Sequence, residues 1–591
     1  MLYPIQNDKR NKLDLSGIWD FQTDPDEEGE SNGWANGLKA PRPMAVPGSW
    51  NEQYEDLFGY LDLAWYARDT YVPSSWKGQR VFIRVGSANY HGAVYFNGVK
   101  IGEHDSGHLP FAFEVTGQVK WDEENKVAIS VENVLKPTRV PSGNMPGGSS
   151  MGMFASSPAT TFDFYPFAGI HRPVVLYTVP QTYIEDITVV TGINGPDGLV
   201  KVTARLNAPA AGQGSARLKD GATSIRADLV FRAGMVEATL VVPQAHLWSD
   251  ADPHLYDLTV QTEEDHYSLK VGIRTLAVEG GHILLNGKPV KLNGFGRHED
   301  FIASGKGLNL PLLVKDYQLM HWTGANSYRT SHYPYSEEEM QMADREGMLI
   351  IDEIPAVSLQ MGDEANIPVR LNVCLQQIEE MIARDKNHPA VVMWSVANEP
   401  MPKNLNLAGA AGGSEDDPSA KAGKAMLDAM IAHAKTLDAT RPVTIVTVMG
   451  GPQSWMEQCD VICMNRYWGW YVLGGQLDLA RSNLERELDQ VWSQWHKPII
   501  MTEFGADTIP GYHGQPNVMW TEDFQADYIR MHLEVAAARD FIAGMQVWNF
   551  ADFAAVQSIA RVGGLNHKGI FTRIRTPKMA AHVLREFWAK S

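Results

Sequence analysis

After Gly280 the chain alternates short apolar runs with longer helical stretches, and the runs number eight: 290–295, 325–328, 348–352, 391–397, 443–447, 461–465, 498–503 and 545–550. An apolar run that need not alternate suits a strand buried on both faces, and such strands joined through helices pair in parallel. Eight of them close on themselves as a (β/α)8 barrel. The pattern predicts that barrel over 277–591, with helices over 372–385 and 418–437. The stretch 404–418, rich in Gly, Ala, Asp and Glu, reads as a mobile loop.

The 591 residues amount to about four domain lengths at roughly 150 residues each, or three if one is a barrel. Residues 1–180 carry short aromatic and β-branched runs cut by Gly, Asn and Pro, such as Arg80-Val-Phe-Ile-Arg-Val85, and this spacing predicts a sandwich or jelly roll. Asn97-Gly98 between two such runs predicts a two-residue type I′ hairpin turn, because both residues tolerate positive φ. Residues 181–276 alternate more regularly, as in Leu199-Val-Lys-Val-Thr-Ala-Arg-Leu206, and suit an immunoglobulin-like β-sandwich. One larger sandwich spanning both β regions is the competing arrangement.

Charge and motif content narrow the function classes. With 51 basic against 70 acidic residues the net charge is −19, which repels a phosphate backbone and argues against a nucleic-acid partner. Cys374, Cys459 and Cys463 are too few, and odd in number, for a disulfide framework. The first residues lack a basic segment followed by an apolar one, and no apolar run approaches 18 residues, so a cytoplasmic protein with no membrane partner is expected. There is no His-Glu-x-x-His, Cys459-x-x-x-Cys463 lacks a second ligand pair, and Gly294-Phe-Gly296 lacks the rest of a dinucleotide fingerprint. Neither metal nor cofactor is expected.

A barrel of this kind places its chemistry on the loops after the strands. The ionisable residues there are His298, Glu299, Asp300, Arg329, His332, Asp352, Glu353, Glu399, Arg466, Glu503 and Asp552. Glu399 follows the fourth run and Glu503 ends the seventh, three strands apart on an eight-strand ring and nearly facing. Two carboxyl groups across a cleft are what glycosidic cleavage requires: one protonates the leaving oxygen, the other attacks the anomeric carbon or activates water. Trp394, Tyr467, Trp468, Trp470, Tyr471 and Trp548 crowd the same strands, and aromatic faces stack on sugar rings as readily as they fill a core.

Four segments make the resemblance specific: Arg384-Asp-Lys-Asn-His-Pro389, Val391-Val-Met-Trp-Ser-Val-Ala-Asn-Glu-Pro400, Met501-Thr-Glu-Phe-Gly-Ala-Asp507 and Gln546-Val-Trp-Asn-Phe-Ala-Asp-Phe553. They resemble family 2 glycoside hydrolases, and within that family the β-glucuronidases. Arg329-Thr-Ser-His-Tyr-Pro-Tyr335, Asn465-Arg-Tyr-Trp-Gly-Trp-Tyr471 and Asp163-Phe-Tyr-Pro-Phe-Ala-Gly-Ile-His-Arg172 extend the likeness over essentially the whole chain. The resemblance implies a retaining, exo-acting hydrolase with Glu399 as acid/base and Glu503 as nucleophile. Asn398 then bonds the sugar 2-hydroxyl, and Asp163, His332, Asn465, Tyr467, Tyr471 and Trp548 complete the substrate pocket. A homo-oligomer, dimer or tetramer, is implied as well.

The same resemblance gives Asn566-His-Lys568 as the element that binds a uronic acid carboxylate, with Arg561 adding a second positive charge on that loop. A charge-assisted bond in a drained pocket contributes about 1.5–3 kcal/mol, enough to disfavour a neutral glycoside. Leu565 looks like a one-residue insertion and His567 fills the middle slot, so the aim of the loop is open. The stretch 353–384 looks short beside bacterial members that carry a long active-site loop, implying a more open aglycone side. Such a clamp does not report the C4 configuration, so a β-galacturonide is the competing substrate; a non-hydrolytic carbohydrate-binding protein is the competing class.

Overall fold

The computed structural model describes residues 1–145, 156–221, 223–405 and 415–589. The middle of the expected 404–418 loop, residues 406–414, lies outside them.

The N-terminal region folds into two packed antiparallel sheets. One orders the strands Lys12–Asp14, Val174–Val179, Arg80–Val85 and Phe111–Glu114; the other orders Arg42–Val46, Gly17–Thr23, Leu63–Val72, Glu123–Glu132, His91–Phe96 and Val99–Asp105. Successive side chains point to opposite faces of a strand, so Trp19, Phe21, Tyr66 and Ile129 from one sheet meet Val81, Ile83 and Leu176 from the other in a closed core. The jelly-roll expectation holds. At the Asn97-Gly98 turn φ is 50° and 80°, with Phe96 paired to Val99, the geometry a type I′ turn demands.

The second β region builds a three-stranded sheet (Ile184–Asn194, Asp197–Leu206, Met235–Val242) against a four-stranded one (Thr223–Phe231, Gly212–Asp220, Tyr256–Thr262, His266–Val271). Its core of Val200, Val202, Leu218, Leu229, Leu258 and Val260 is separate from that of the jelly roll. The single larger sandwich is therefore not the arrangement; an immunoglobulin-like unit is.

The eight parallel strands close into a barrel: Leu292–Arg297, Ser327–Thr330, Leu349–Glu353, Val391–Asn398, Val443–Thr447, Ile462–Asn465, Ile499–Glu503 and Ile542–Val547. Continuous burial along strands such as Val391–Asn398 explains why these runs are mainly apolar. The eighth strand begins and ends three residues earlier than the 545–550 expected. Beyond its end the N–H groups of Trp548, Asn549 and Phe550 donate to the carbonyls of Phe504, Lys568 and Gly296. The helix expected over 372–385 runs Ile367–Asp385, with a proline in its first turn, where no N–H is needed. Helix Pro418–Leu437 matches its expected span and is capped by Asp417, which accepts from Ser419 N at 2.8 Å. Cys374, Cys459 and Cys463 are free and buried. No helix among the described residues is long and apolar enough to cross a membrane.

Candidate active site

Strand seven delivers Glu503 into the barrel mouth, where it is 4% exposed. Its Oε1 accepts from Arg329 Nη2 at 2.6 Å and its Oε2 from the Tyr467 hydroxyl at 2.6 Å. Burial pushes this carboxyl above the ordinary glutamate value, while Arg329 and Tyr467 pull it back toward the ionised form. Glu399 leaves strand four at φ 45°, a left-handed conformation that costs an L-residue about 1–2 kcal/mol. A bond from Glu399 N to Val446 O at 2.8 Å ties it to strand five. The side chain opens on the cleft and Oε1 accepts from Asn465 Nδ2 at 3.0 Å. Burial first, and the charge of Glu503 second, push the Glu399 carboxyl up to about 8. One carboxyl thus keeps its proton at neutral pH beside another that is held by a cation and a phenol. That division of labour is what acid-assisted glycosidic cleavage uses.

A buried guanidinium organises the floor. Arg329 Nη1 donates to Glu353 Oε1 at 2.7 Å, while Glu353 Oε2 accepts from Ser395 Oγ at 2.6 Å. His332 Nδ1 lies 2.8 Å from Glu353 Oε1 and 3.0 Å from Arg329 Nη1. Burial and Arg329 together hold His332 well below the usual histidine range, so it carries no charge. Its ring stacks on Trp548 at 5.0 Å. Asn465 Nδ2 also reaches Asn398 Oδ1 at 3.2 Å and its Oδ1 accepts from Thr502 Oγ1 at 2.9 Å, so the amide orientation is fixed. Asn398 Oδ1 lies within reach of both Asn465 Nδ2 and, at 3.5 Å, Arg329 Nη1, which orients its amide with Nδ2 on the other side.

The loop after strand eight brings cations to the same mouth. Leu565–Asn566 pairs antiparallel with Phe553–Ala554, and His567 Nε2 lies 2.9 Å from Val562 O, so the loop has a defined course. Lys568 is 1% exposed; its Nζ pairs with Asp507 Oδ2 and donates to the Tyr471 hydroxyl at 2.9 Å. The ammonium also lies 4.9 Å from the Tyr471 ring centre. Arg561 Nε pairs with Asp163 Oδ1 at 2.6 Å, and Asn566 Nδ2 donates to Asp163 Oδ2 at 2.7 Å. Asp163 arrives from the jelly roll, and Arg561 holds its carboxyl below the usual range against the cost of burial. The N-terminal region therefore contributes to the site directly.

All twelve residues singled out from the sequence gather here, with Tyr471 at the exposed rim. Two of the aromatic residues do not face the cleft. Trp394 pairs with Val443 at the start of strand five and donates Nε1 to Asp438, and Trp468 is buried with Nε1 on Glu487. Glu299, Asp300, Arg466 and Asp552 are engaged in ion pairs with Arg172, Arg573, Glu487 and Lys578. Sequence reasoning did not assign parts to Arg329, Glu353 and Asp507. The first two stand at strand ends, which was the available signal; Asp507 lies four residues past Glu503 in a motif quoted for its glutamate. Among the described residues no cluster of side chains suits a metal ion.

Comparison with known proteins agrees with this geometry. Residues 276–591 match the family model described as Glycosyl hydrolases family 2, TIM barrel domain, residues 12–180 the family 2 sugar binding domain, and residues 182–274 Glycosyl hydrolases family 2. A beta-glucuronidase of Paenibacillus borealis is 38% identical over 623 residues, spanning 100% of this chain and 99% of its own. One of Felis catus is 39% identical over 629 residues, spanning 100% and 92%. A crystal structure of Ruminococcus gnavus beta-glucuronidase in complex with D-glucuronic acid superposes with a TM-score of 0.90 at 36% identity, covering 99% of each chain. The chain belongs to family 2 of the glycoside hydrolases.

Proposed function

We propose that the chain is a retaining, exo-acting β-glucuronidase in which Glu503 is the nucleophile and Glu399 the acid and base. The observation that carries this reading is Glu399, its carboxyl pushed up to about 8 by burial and by the charge of Glu503, opening on the same mouth as a Glu503 held by Arg329 and Tyr467, beside a buried cationic loop. In the first step a Glu503 oxygen bonds to the anomeric carbon as the bond to the aglycone oxygen breaks, and that oxygen takes the proton from Glu399. Glu503 is then an uncharged ester, so the repulsion that held the Glu399 proton is gone. Glu399, now ionised, draws a proton from water as the water attacks the same carbon, and the two inversions give retention. Asn398 offers its amide N–H to the 2-hydroxyl, and Trp548 lines the sugar site. Lys568 and Arg561, with Asn566 bracing the loop, receive the C6 carboxylate; a relative of the same fold was solved with D-glucuronic acid.

The proposal is tested on p-nitrophenyl β-D-glucuronide, β-D-galacturonide and β-D-glucoside. The glucuronide is expected to turn over fastest, and faster turnover of the galacturonide overturns the substrate assignment. Replacing Lys568 with methionine keeps the stem and removes the charge. It is expected to reduce the glucuronide-to-glucoside ratio of kcat/KM by about 10- to 150-fold, the equivalent of a charge-assisted bond of ~1.5–3 kcal/mol. An unchanged ratio contradicts the clamp.

The pH profile follows from the same pair. Glu399 must carry its proton, and its value is raised, so kcat/KM is expected to fall as pH rises through about 8. Glu503 must be ionised, and its value is also raised, so the acidic limb lies above the ordinary glutamate value of 4.5. A basic limb near pH 5 would contradict the assignment of Glu399.

A further inference from the structure

Lys568 approaches the cleft already paired. Its ammonium meets Asp507 Oδ2, and both side chains are 1% exposed. The other Asp507 oxygen, Oδ1, accepts from the backbone N–H of His567 at 2.9 Å. One carboxylate therefore fixes both the tip of Lys568 and the backbone preceding it. Arg561 Nη1 stands 3.6 Å from Asp507 Oδ2, so both cations of the loop face this one group.

Asp507 also belongs to the segment that carries Glu503. Only Phe504, Gly505 and Ala506 separate them, and this spacer has little freedom. Trp548 N donates to Phe504 O at 3.0 Å, and Gln525 Nε2 donates to Ala506 O at 3.0 Å. A Cβ on Gly505 would stand 1.8 Å from Trp548 O, so the spacer lies flat against the backbone after strand eight. Beyond it, Thr508 N donates to His567 O at 3.0 Å and Asn549 N to Lys568 O at 3.1 Å. The nucleophile's loop and the cationic loop are thus fastened together by backbone bonds, with the Asp507 carboxylate reaching from the first to the ammonium on the second.

We propose that Asp507 is a specificity-determining positioning residue: its carboxylate holds the Lys568 ammonium at a fixed offset from the Glu503 carboxyl, so that a sugar gripped by its C6 acid group presents its anomeric carbon to the nucleophile. The inference rests on the glucuronidase reading above and adds the group that sets the reach of the clamp. A lysine side chain has four rotatable carbons and places its charge loosely unless a partner holds it. Tyr471 alone is a weak guide, because it is 54% exposed. Without Asp507 the ammonium loses its anchor and the His567 N–H its acceptor, while the backbone bonds from Thr508 and Asn549 remain to hold the loop. A neutral glucoside, which has no acid group to grip, does not sense that loss.

The test compares kcat and KM on p-nitrophenyl β-D-glucuronide and β-D-glucoside for the wild type, Asp507→Ala and Asp507→Asn. Asp507→Ala is expected to raise KM for the glucuronide about tenfold or more, with kcat/KM for the glucoside changed less than about twofold. Asp507→Asn keeps an oxygen for the His567 N–H or the ammonium and is expected to recover part of the loss. A parallel fall on both substrates in Asp507→Asn, or an unchanged glucuronide KM in Asp507→Ala, overturns the proposal. Should Asp507→Ala not fold, the substrate ratio of Asp507→Asn decides, a ratio equal to that of the wild type overturning it. The wild-type ratio tests the functional reading itself; only its change on substitution tests Asp507.

Discussion

Replacing Glu503 with alanine is expected to lower kcat on an aryl β-glucuronide by about 10^4-fold or more, because the covalent route disappears with its nucleophile. The loss is not expected to come from unfolding. Arg329, which donates to Glu503, keeps its second partner Glu353, and the barrel strands around it are closed by main-chain bonds. Glu503→Gln separates the explanations further. It preserves shape, an oxygen that accepts from Arg329 Nη2 and an NH2 that can donate to the Tyr467 hydroxyl, so a structural role would be largely restored, whereas a nucleophile would not. Thermal unfolding and steady-state kinetics on both variants make the comparison. Recovery of turnover in Glu503→Gln to within tenfold of the wild type contradicts the assignment.

Loss of the Glu399 carboxyl has a different signature, because a general acid matters in proportion to the basicity of the departing oxygen. Glu399→Ala is expected to reduce glucuronide cleavage by about 10^2- to 10^4-fold when the aglycone is an alcohol. It should reduce cleavage far less for a dinitrophenol, which departs as its anion without a proton. The basic limb near pH 8 should vanish with the group that titrates there. Deglycosylation slows too, since water then lacks its base, and azide, which needs no deprotonation to attack, should accelerate that step and leave a β-glucuronosyl azide. Equal losses across aglycones of widely different basicity contradict the acid role.

How much of this was legible beforehand depends on what each feature requires of the chain. The barrel was readable because strands buried on both faces are largely apolar, as 391–397 is apart from Ser395, and the Asn97-Gly98 turn because it needs two residues that accept positive φ. The facing glutamates were readable because a strand end in a closed barrel points to one place. Pairing was not readable. Arg329, Glu353 and Asp507 look like other strand-end charges until it is seen that Arg329 bridges Glu353 and Glu503, and that Asp507 meets Lys568 across 61 residues of sequence. By the same blindness Glu299 and Asp300 looked available, though each is engaged by an arginine from a distant segment. Aromatic residues posed the matching problem: Trp394 and Trp548 occupy similar motifs, and only packing shows that one faces Asp438 below the mouth and the other lies along His332 within it. The aim of the 561–568 loop was open because sequence does not show what Leu565 pairs with; its partner is Ala554.

The central claim is that Glu503 bonds covalently to the sugar. Incubation with 2-deoxy-2-fluoro-β-D-glucuronyl fluoride, whose 2-fluorine slows both steps while its good leaving group speeds only the first, should trap that ester. Peptide mass spectrometry of the inactivated protein is predicted to find one fluoroglucuronyl unit per chain on the peptide containing Glu503. Inactivation with the label on any other residue, or steady turnover of wild type with no label accumulating, would contradict it.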